Sequence, residues 1–158
     1  MNTDADAPVV DAALLRRRAM DALARREHSH RELVRKLRDK GADTEIAEAI
    51  VDQLQAENLV SDGRFAESLV NVRRMRGRGP IRIQRELEEK GVADSIIDGI
   101  LEPRDRGWHT LAAEVRTRKY GATLPTDLKE RARQARFLQY RGFGYEQIKY
   151  ALEVSGQE

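Results

Sequence analysis

The run RRMRGRGPIRIQR at residues 73–85 gathers Arg73, Arg74, Arg76, Arg78, Arg82 and Arg85 around two glycines and a proline. A planar guanidinium donates in a fixed fork that matches carboxylate or phosphate, so this density of arginines is chemistry for meeting an anionic surface. Solvated helix ends could account for two of the six. An earlier basic band holds Arg35 and Lys36, and Arg35 aligns with Arg85 when the chain is laid on itself fifty residues along. These eight residues are the candidate partner-binding set.

Other chemistry finds little support. There is no Gly-x-x-x-x-Gly-Lys-Ser/Thr loop, no strand precedes the glycines of RGRGP, and no Gly-x-Ser-x-Gly elbow occurs, so nucleotide hydrolysis and serine hydrolase chemistry are not expected. Three scattered histidines and no cysteine leave little material for a metal site, and neither metal nor cofactor is expected. His28 and His30 read as surface capping residues at a helix start, and His109 has no catalytic partner in view. Glu86, Glu88 and Glu89 read as a solvated face, as do Arg16, Arg17 and Arg18, which spread around a helix. The chain is not expected to be an enzyme.

Of the 158 residues, 35% are charged, yet the net charge is only +2. That average conceals bands: no cation occurs from Ala42 to Gly63 or from Gly91 to Pro103, whereas residues 64–85 set seven arginines against the single acid Glu67. No apolar run approaches the ~20 residues that span a bilayer, and no leader-like start is evident, so a cytoplasmic chain without membrane contact is expected.

The elements that position these residues follow from a repeat. Residues 31–51 match 81–101 at Arg35/Arg85, Leu37/Leu87, Lys40/Lys90, Gly41/Gly91, Ile46/Ile96 and Ile50/Ile100. Helical spacing of apolar residues predicts three helices per unit. In the first, Leu15, Ala19, Ala22 and Leu23 precede Leu33, Val34 and Leu37, then Ile46, Ala47, Ile50, Val51 and Leu54. Phe65, Leu69 and Val72 open the second, and a third runs from Trp108, Leu111, Ala112 and Val115 through Leu128, Ala132, Ala135 and Leu138 to Ile148, Ala151 and Leu152. The fold class is all-α, three tandem three-helix repeats in an elongated array: a flexible segment at 1–11, then repeats at 12–60, 61–102 and 103–158.

The triplicated LRDKGA, LEEKGV and LQYRGF are read as architecture. With Gly41, Gly91 and Gly142 just past a helix end in a left-handed conformation, Leu37, Leu87 and Leu138 meet Ala42, Val92 and Phe143 as a Schellman cap requires. Lys40, Lys90 and Arg141 then complement the negative end of the helix dipole. SHRE offers a capping box from Ser29 to Glu32, and Pro80 stands at a first helical position.

The segments REHSHRELVRKLRDKG, LVSDGRFAESLVNVRRMRGRGPIRIQRELEEKG and LQYRGFGYEQIKYAL resemble the RecX regulatory proteins, over nearly the whole chain after residue 12. The middle segment is the most specific, with Asp62, Phe65 and Ala66 followed by Arg73, Gly77, Gly79, Pro80, Arg82, Ile83, Glu86 and Leu87. Ser61 departs from the pattern, which often has a second Asp there, and touches only a helix cap. The resemblance implies a curved, all-helical array that binds the RecA filament and lowers its growth, ATP hydrolysis and strand exchange. The rival reading is a helix-turn-helix DNA-binding protein, but the helices after Gly41 and Gly91 carry Asp43, Glu45, Glu48 and Asp52, or Asp94 and Asp98, and no cation, which phosphate would repel. Weak, sequence-independent contact of the arginine run with single-stranded DNA stays open.

Overall fold

The computed structural model describes residues 11–102 and 104–156. The segment expected to be flexible at 1–11 therefore lies, except for its last residue, outside the described residues. Among the described residues there are nine helices and no strand: α1 (Ala12–Arg25), α2 (His30–Asp39), α3 (Thr44–Ala56), α4 (Asp62–Met75), α5 (Pro80–Glu89), α6 (Asp94–Ile100), α7 (Arg106–Tyr120), α8 (Leu128–Tyr140) and α9 (Tyr145–Glu153). They form three tandem three-helix repeats. By compactness the chain divides in two, with the boundary between Phe65 and Ala66, inside α4.

In the first unit, Leu15 and Ala19 of α1 pack with Leu33, Val34 and Leu37 of α2 and with Ala47, Val51 and Leu54 of α3, and Val60 closes this core. Ile46, placed on the same face of α3 by its spacing, is exposed. Asp11, Ser29 and Asp43 cap α1, α2 and α3, each side chain accepting a backbone N–H. Ser29 Oγ accepts from the Glu32 N–H at 3.1 Å, while the Glu32 carboxylate is engaged by Arg26 at 2.8 and 3.0 Å. Arg16, on the solvated face as expected, also makes a two-pronged surface pair with Glu57 at 2.8 and 3.0 Å.

His28 also departs from its reading as a surface residue: it is 1% exposed. Its Nδ1 lies 3.0 Å from the Arg26 carbonyl and donates to it, while Nε2 is buried with no hydrogen-bond partner. Burial pulls its pKa below the ordinary 6.5, outweighing the raising effect of that hydrogen bond. The folded state therefore takes up a proton less readily than the unfolded chain. The stabilising contribution of neutral His28 is complete above about pH 6.5 and is lost as pH falls toward the folded pKa. Denaturation midpoints measured across pH 7.5 to 5 should fall for the parent, and the His28→Gln variant should lose much of that slope.

In the second unit, Ala112, Ala113 and Val115 of α7, Leu138 of α8, Phe143 of the α8–α9 turn and Ala151 of α9 form one core, and α7 runs along α9. Ala66, Val70, Ile83, Leu87, Val92, Ile97 and Leu101 are buried as well. Two expected faces are corrected here. Val72 of α4 is exposed, and α8 turns Gln134 and Leu138 inward while Leu128 is 85% exposed and Ala132 faces water. Gln134 is inside because Arg116, itself fully buried, donates to its Oε1 at 3.3 Å and to the carbonyls of Gly121 and Thr123 at 3.3 and 3.4 Å. Burial lowers the Arg116 pKa, and no carboxylate offsets it.

Each repeat turns at the same device. Gly41, Gly91 and Gly142 have φ of +101°, +80° and +101°. The N–H groups of Ala42, Val92 and Phe143 donate back to the carbonyls of Leu37, Leu87 and Leu138, all at 3.1 Å. Two further caps of this kind went unread in the sequence. Asn58, at φ +61°, ends α3 with Leu59 N–H donating to Leu54, and Gly77, at φ +73°, ends α4 with Arg78 N–H donating to Arg73. A methyl group added at Gly41 would meet nothing within 4 Å, so Gly41→Ala should cost only the conformational term, about 1 kcal/mol or slightly more, in a denaturant titration.

Candidate partner-binding groove

Helix α5 begins where the chain is pinned to another repeat. Gly79, at φ −85°, caps α5 without a side chain, and Pro80 takes the first helical position, where its missing N–H costs nothing. The Gly79 N–H donates 2.8 Å to the Arg141 carbonyl and the Ile81 N–H donates 3.0 Å to the Gly142 carbonyl. Reciprocally, the Arg141 guanidinium donates to the carbonyls of Arg76 at 2.6 Å and Gly77 at 3.3 Å, at the carbonyl end of α4. Of the glycines of RGRGP, Gly79 is a site of close backbone approach and Gly77 is crowded by the side chains of Arg141 and Val115. A Cβ at Gly79 would lie 2.5 Å from the Phe143 nitrogen and overlap the Gly142 carbonyl.

This pinning sets α5 beside α8 and α9 and leaves a groove of about 1350 Å³ between them. Arg78, Arg82 and Arg85, Arg131 of α8 and Lys149 of α9 line it, together with the apolar Ile81 and Ile148. Tyr140 and Tyr145, at the two ends of the α8–α9 turn, line it too and are 74% and 75% exposed. Glu89 and Glu153 are the acids of the lining not tied to an arginine. The cations crowd one another: burial first, then repulsion from Arg78, Arg82 and Arg118, lowers the Arg141 pKa from its ordinary value.

The arginines of the run do different work. Arg73 grips Glu86 with two bonds, Nε to Oε2 at 2.8 Å and Nη2 to Oε1 at 2.5 Å, and these hydrogen bonds hold the Glu86 carboxyl below the usual carboxylate range. Glu86 is thus no solvated residue, and Arg73 is occupied within the fold. Arg74 lies 3.6 Å from Asp105 and stacks on Trp108, its guanidinium carbon 4.2 Å from the ring centre, so it too packs against the unit's own apolar residues. Arg82 stands 5.3 Å from the Tyr140 ring centre and donates to the Tyr140 carbonyl at 3.3 Å. The side chains of Arg76, Arg78 and Arg85 make no hydrogen bond or ion pair among the described residues, and Arg76 and Arg85 are exposed. Arg35 and Lys36 are exposed on α2, in the first unit.

Sequence reading missed Arg131, Lys149, Tyr140 and Tyr145. Tyr140 and Tyr145 were visible in LQYRGFGY, where two aromatic residues flank a basic Gly turn, but that segment was absorbed into the repeat. Arg131 and Lys149 carry no local signal; only the approach of α5 to α8 and α9 brings them to the same groove as Arg82 and Arg85. Among the described residues no group of three or more His, Cys, Asp or Glu is placed to hold a metal ion, and no helix is long and apolar enough to cross a membrane.

Three family models match the chain in order: the first three-helix domain of RecX at residues 16–54, the second at 61–101 and the third at 110–152. A protein of Halorhodospira halophila named regulatory protein RecX is 44% identical over 140 residues, covering 89% of this chain and 87% of its own. One of Pseudomonas syringae pv. tomato, with the same name, is 44% identical over 151 residues, covering 96% and 95%. In fold, the chain is similar to the crystal structure of RecX from Lactobacillus salivarius, with a TM-score of 0.71 over 90% of this chain and 94% of that one at 21% identity.

Proposed function

The chain belongs to the RecX family of regulatory proteins, and from that premise we propose that it binds the RecA nucleoprotein filament in the cytoplasm and restrains it. Filament growth, ATP hydrolysis and strand exchange would all be lowered, and recombination and DNA repair modulated, without catalysis by this chain. The observation that supports a binding role most directly is the groove of the second unit, which Arg76, Arg78 and Arg85 line without a hydrogen bond or ion pair from their side chains among the described residues. Holding like charges together costs free energy that a structural role would not require, and an anionic partner recovers it. Arg73 and Arg74 are engaged within the fold, by Glu86 and by Asp105 and Trp108, and are less available to the partner. Titrating the protein into RecA, single-stranded DNA and ATP while following phosphate release tests the reading. Release should fall as the protein approaches stoichiometric amounts, and an unchanged rate there would remove it.

A further inference from the structure

We propose that the groove between α5 and the α8–α9 pair is a track for single-stranded nucleic acid, with Tyr140 and Tyr145 as stacking platforms for bases and Arg85, Arg131 and Lys149 as phosphate contacts. The proposal rests on the filament reading above and names which component of the filament the groove takes up. At about 1350 Å³ the groove exceeds the ~300–1000 Å³ of sites for small molecules, which suits a length of polymer. Aromatic rings are usually buried for the apolar area they carry, yet Tyr140 and Tyr145 leave about three quarters of their surface to water. The Tyr140 ring is held in this position, since Arg82 stands 5.3 Å from its centre on one side.

The same groove is lined by cations that the fold does not use. The side chains of Arg85, Arg131 and Lys149 make no hydrogen bond or ion pair among the described residues, and against them stand Glu89 and Glu153, Glu86 being held by Arg73. A basic channel with exposed aromatic faces along it is the pattern that binds single strands with little regard to sequence, because every base offers a flat face to stack. A duplex keeps its bases stacked inside and would leave both tyrosines idle. An acidic protein segment would answer the arginines but give the exposed rings no comparable partner.

Anisotropy of a labelled oligothymidylate, titrated with the full chain in the absence of RecA, tests the track. Both tyrosines are exposed, so Tyr140→Ala and Tyr145→Ala should keep the native circular dichroism spectrum. Each should weaken binding about tenfold, whereas Tyr140→Phe should stay within about twofold of the parent. Arg85→Ala and Lys149→Ala should each flatten the plot of log affinity against log salt by about 0.7. The proposal is overturned if the unaltered chain does not hold the strand at low salt, if the tyrosine variants bind it as the parent does, or if a duplex binds as tightly with the same tyrosine dependence. Phosphate release by RecA, measured on the same variants, separates the two readings. Inhibition lost while strand affinity is unchanged would sink the track and leave the filament reading standing, with the groove meeting protein carboxylates. Strand affinity lost in the tyrosine variants upholds the track whatever RecA does.

Discussion

Gly79→Ala should lower the melting temperature of the second unit by more than about 10 °C. The cause is not conformational, because Gly79 sits at φ −85°, which alanine adopts freely. It is the approach of two backbones: a Cβ there would overlap the Gly142 carbonyl and lie 2.5 Å from the Phe143 nitrogen, and neither can swing aside as a side chain would. Relief means parting α5 from the α8–α9 turn, which breaks the bonds from Gly79 to Arg141 and from Ile81 to Gly142. Overpacking of this kind costs about 3 kcal/mol, and for a unit of this size each kcal/mol moves the midpoint by about 4–8 °C. Trp108, the only tryptophan and 1% exposed in the second unit, gives the fluorescence signal to follow. A shift no greater than that of Gly41→Ala would show that the two backbones are not pinned.

Arg76→Glu, Arg78→Glu and Arg85→Glu together should raise the amount of protein needed to inhibit RecA at least about a hundredfold, since like charges set against an interface cost several kcal/mol. The choice of these three follows from the structure. Arg73→Glu would place a second carboxylate against Glu86, and Arg74→Glu would strip Trp108 and face Asp105, so either could abolish function by damaging the fold. Arg76 and Arg85 have no such duties, and Arg78 acts on Glu86 only through its charge, without a hydrogen bond, so the triple variant should keep its helical content and its melting temperature within a few degrees. Full inhibition by a natively folded triple variant would mean that these arginines are solvated residues and that the groove does not meet the partner.

Much of the fold was legible because its determinants are local. The turn at LRDKGA closes with a hydrogen bond from Ala42 back to Leu37, only five residues away, and the same holds for Val92 with Leu87 and Phe143 with Leu138. Helical periodicity is local as well, and it located every helix, although it misjudged the buried stripe where one residue could serve either face, as with Val72, Ile46 and Leu128. Leu128 is the first residue of α8, where the helix has no preceding turn to pack with it, and Gln134 took an inward position because Arg116 needed an acceptor.

By itself, the sequence determined an all-helical chain of three repeats, the glycine caps that end α2, α5 and α8, and a concentration of arginine at residues 73–85. Only the tertiary structure decided which of those arginines remain available. Arg73 finds Glu86 thirteen residues on, and Arg74 finds Asp105 and Trp108 more than thirty residues on. Arg141 reaches Arg76 and Gly77 across sixty-five and sixty-four residues. Whether a guanidinium is spent on the fold or kept for a partner depends on which distant group lies within about 3 Å, and neither periodicity nor capping carries that information. The same long-range contact, α5 laid beside the α8–α9 turn, makes the groove and brings Tyr140, Tyr145, Arg131 and Lys149 to it.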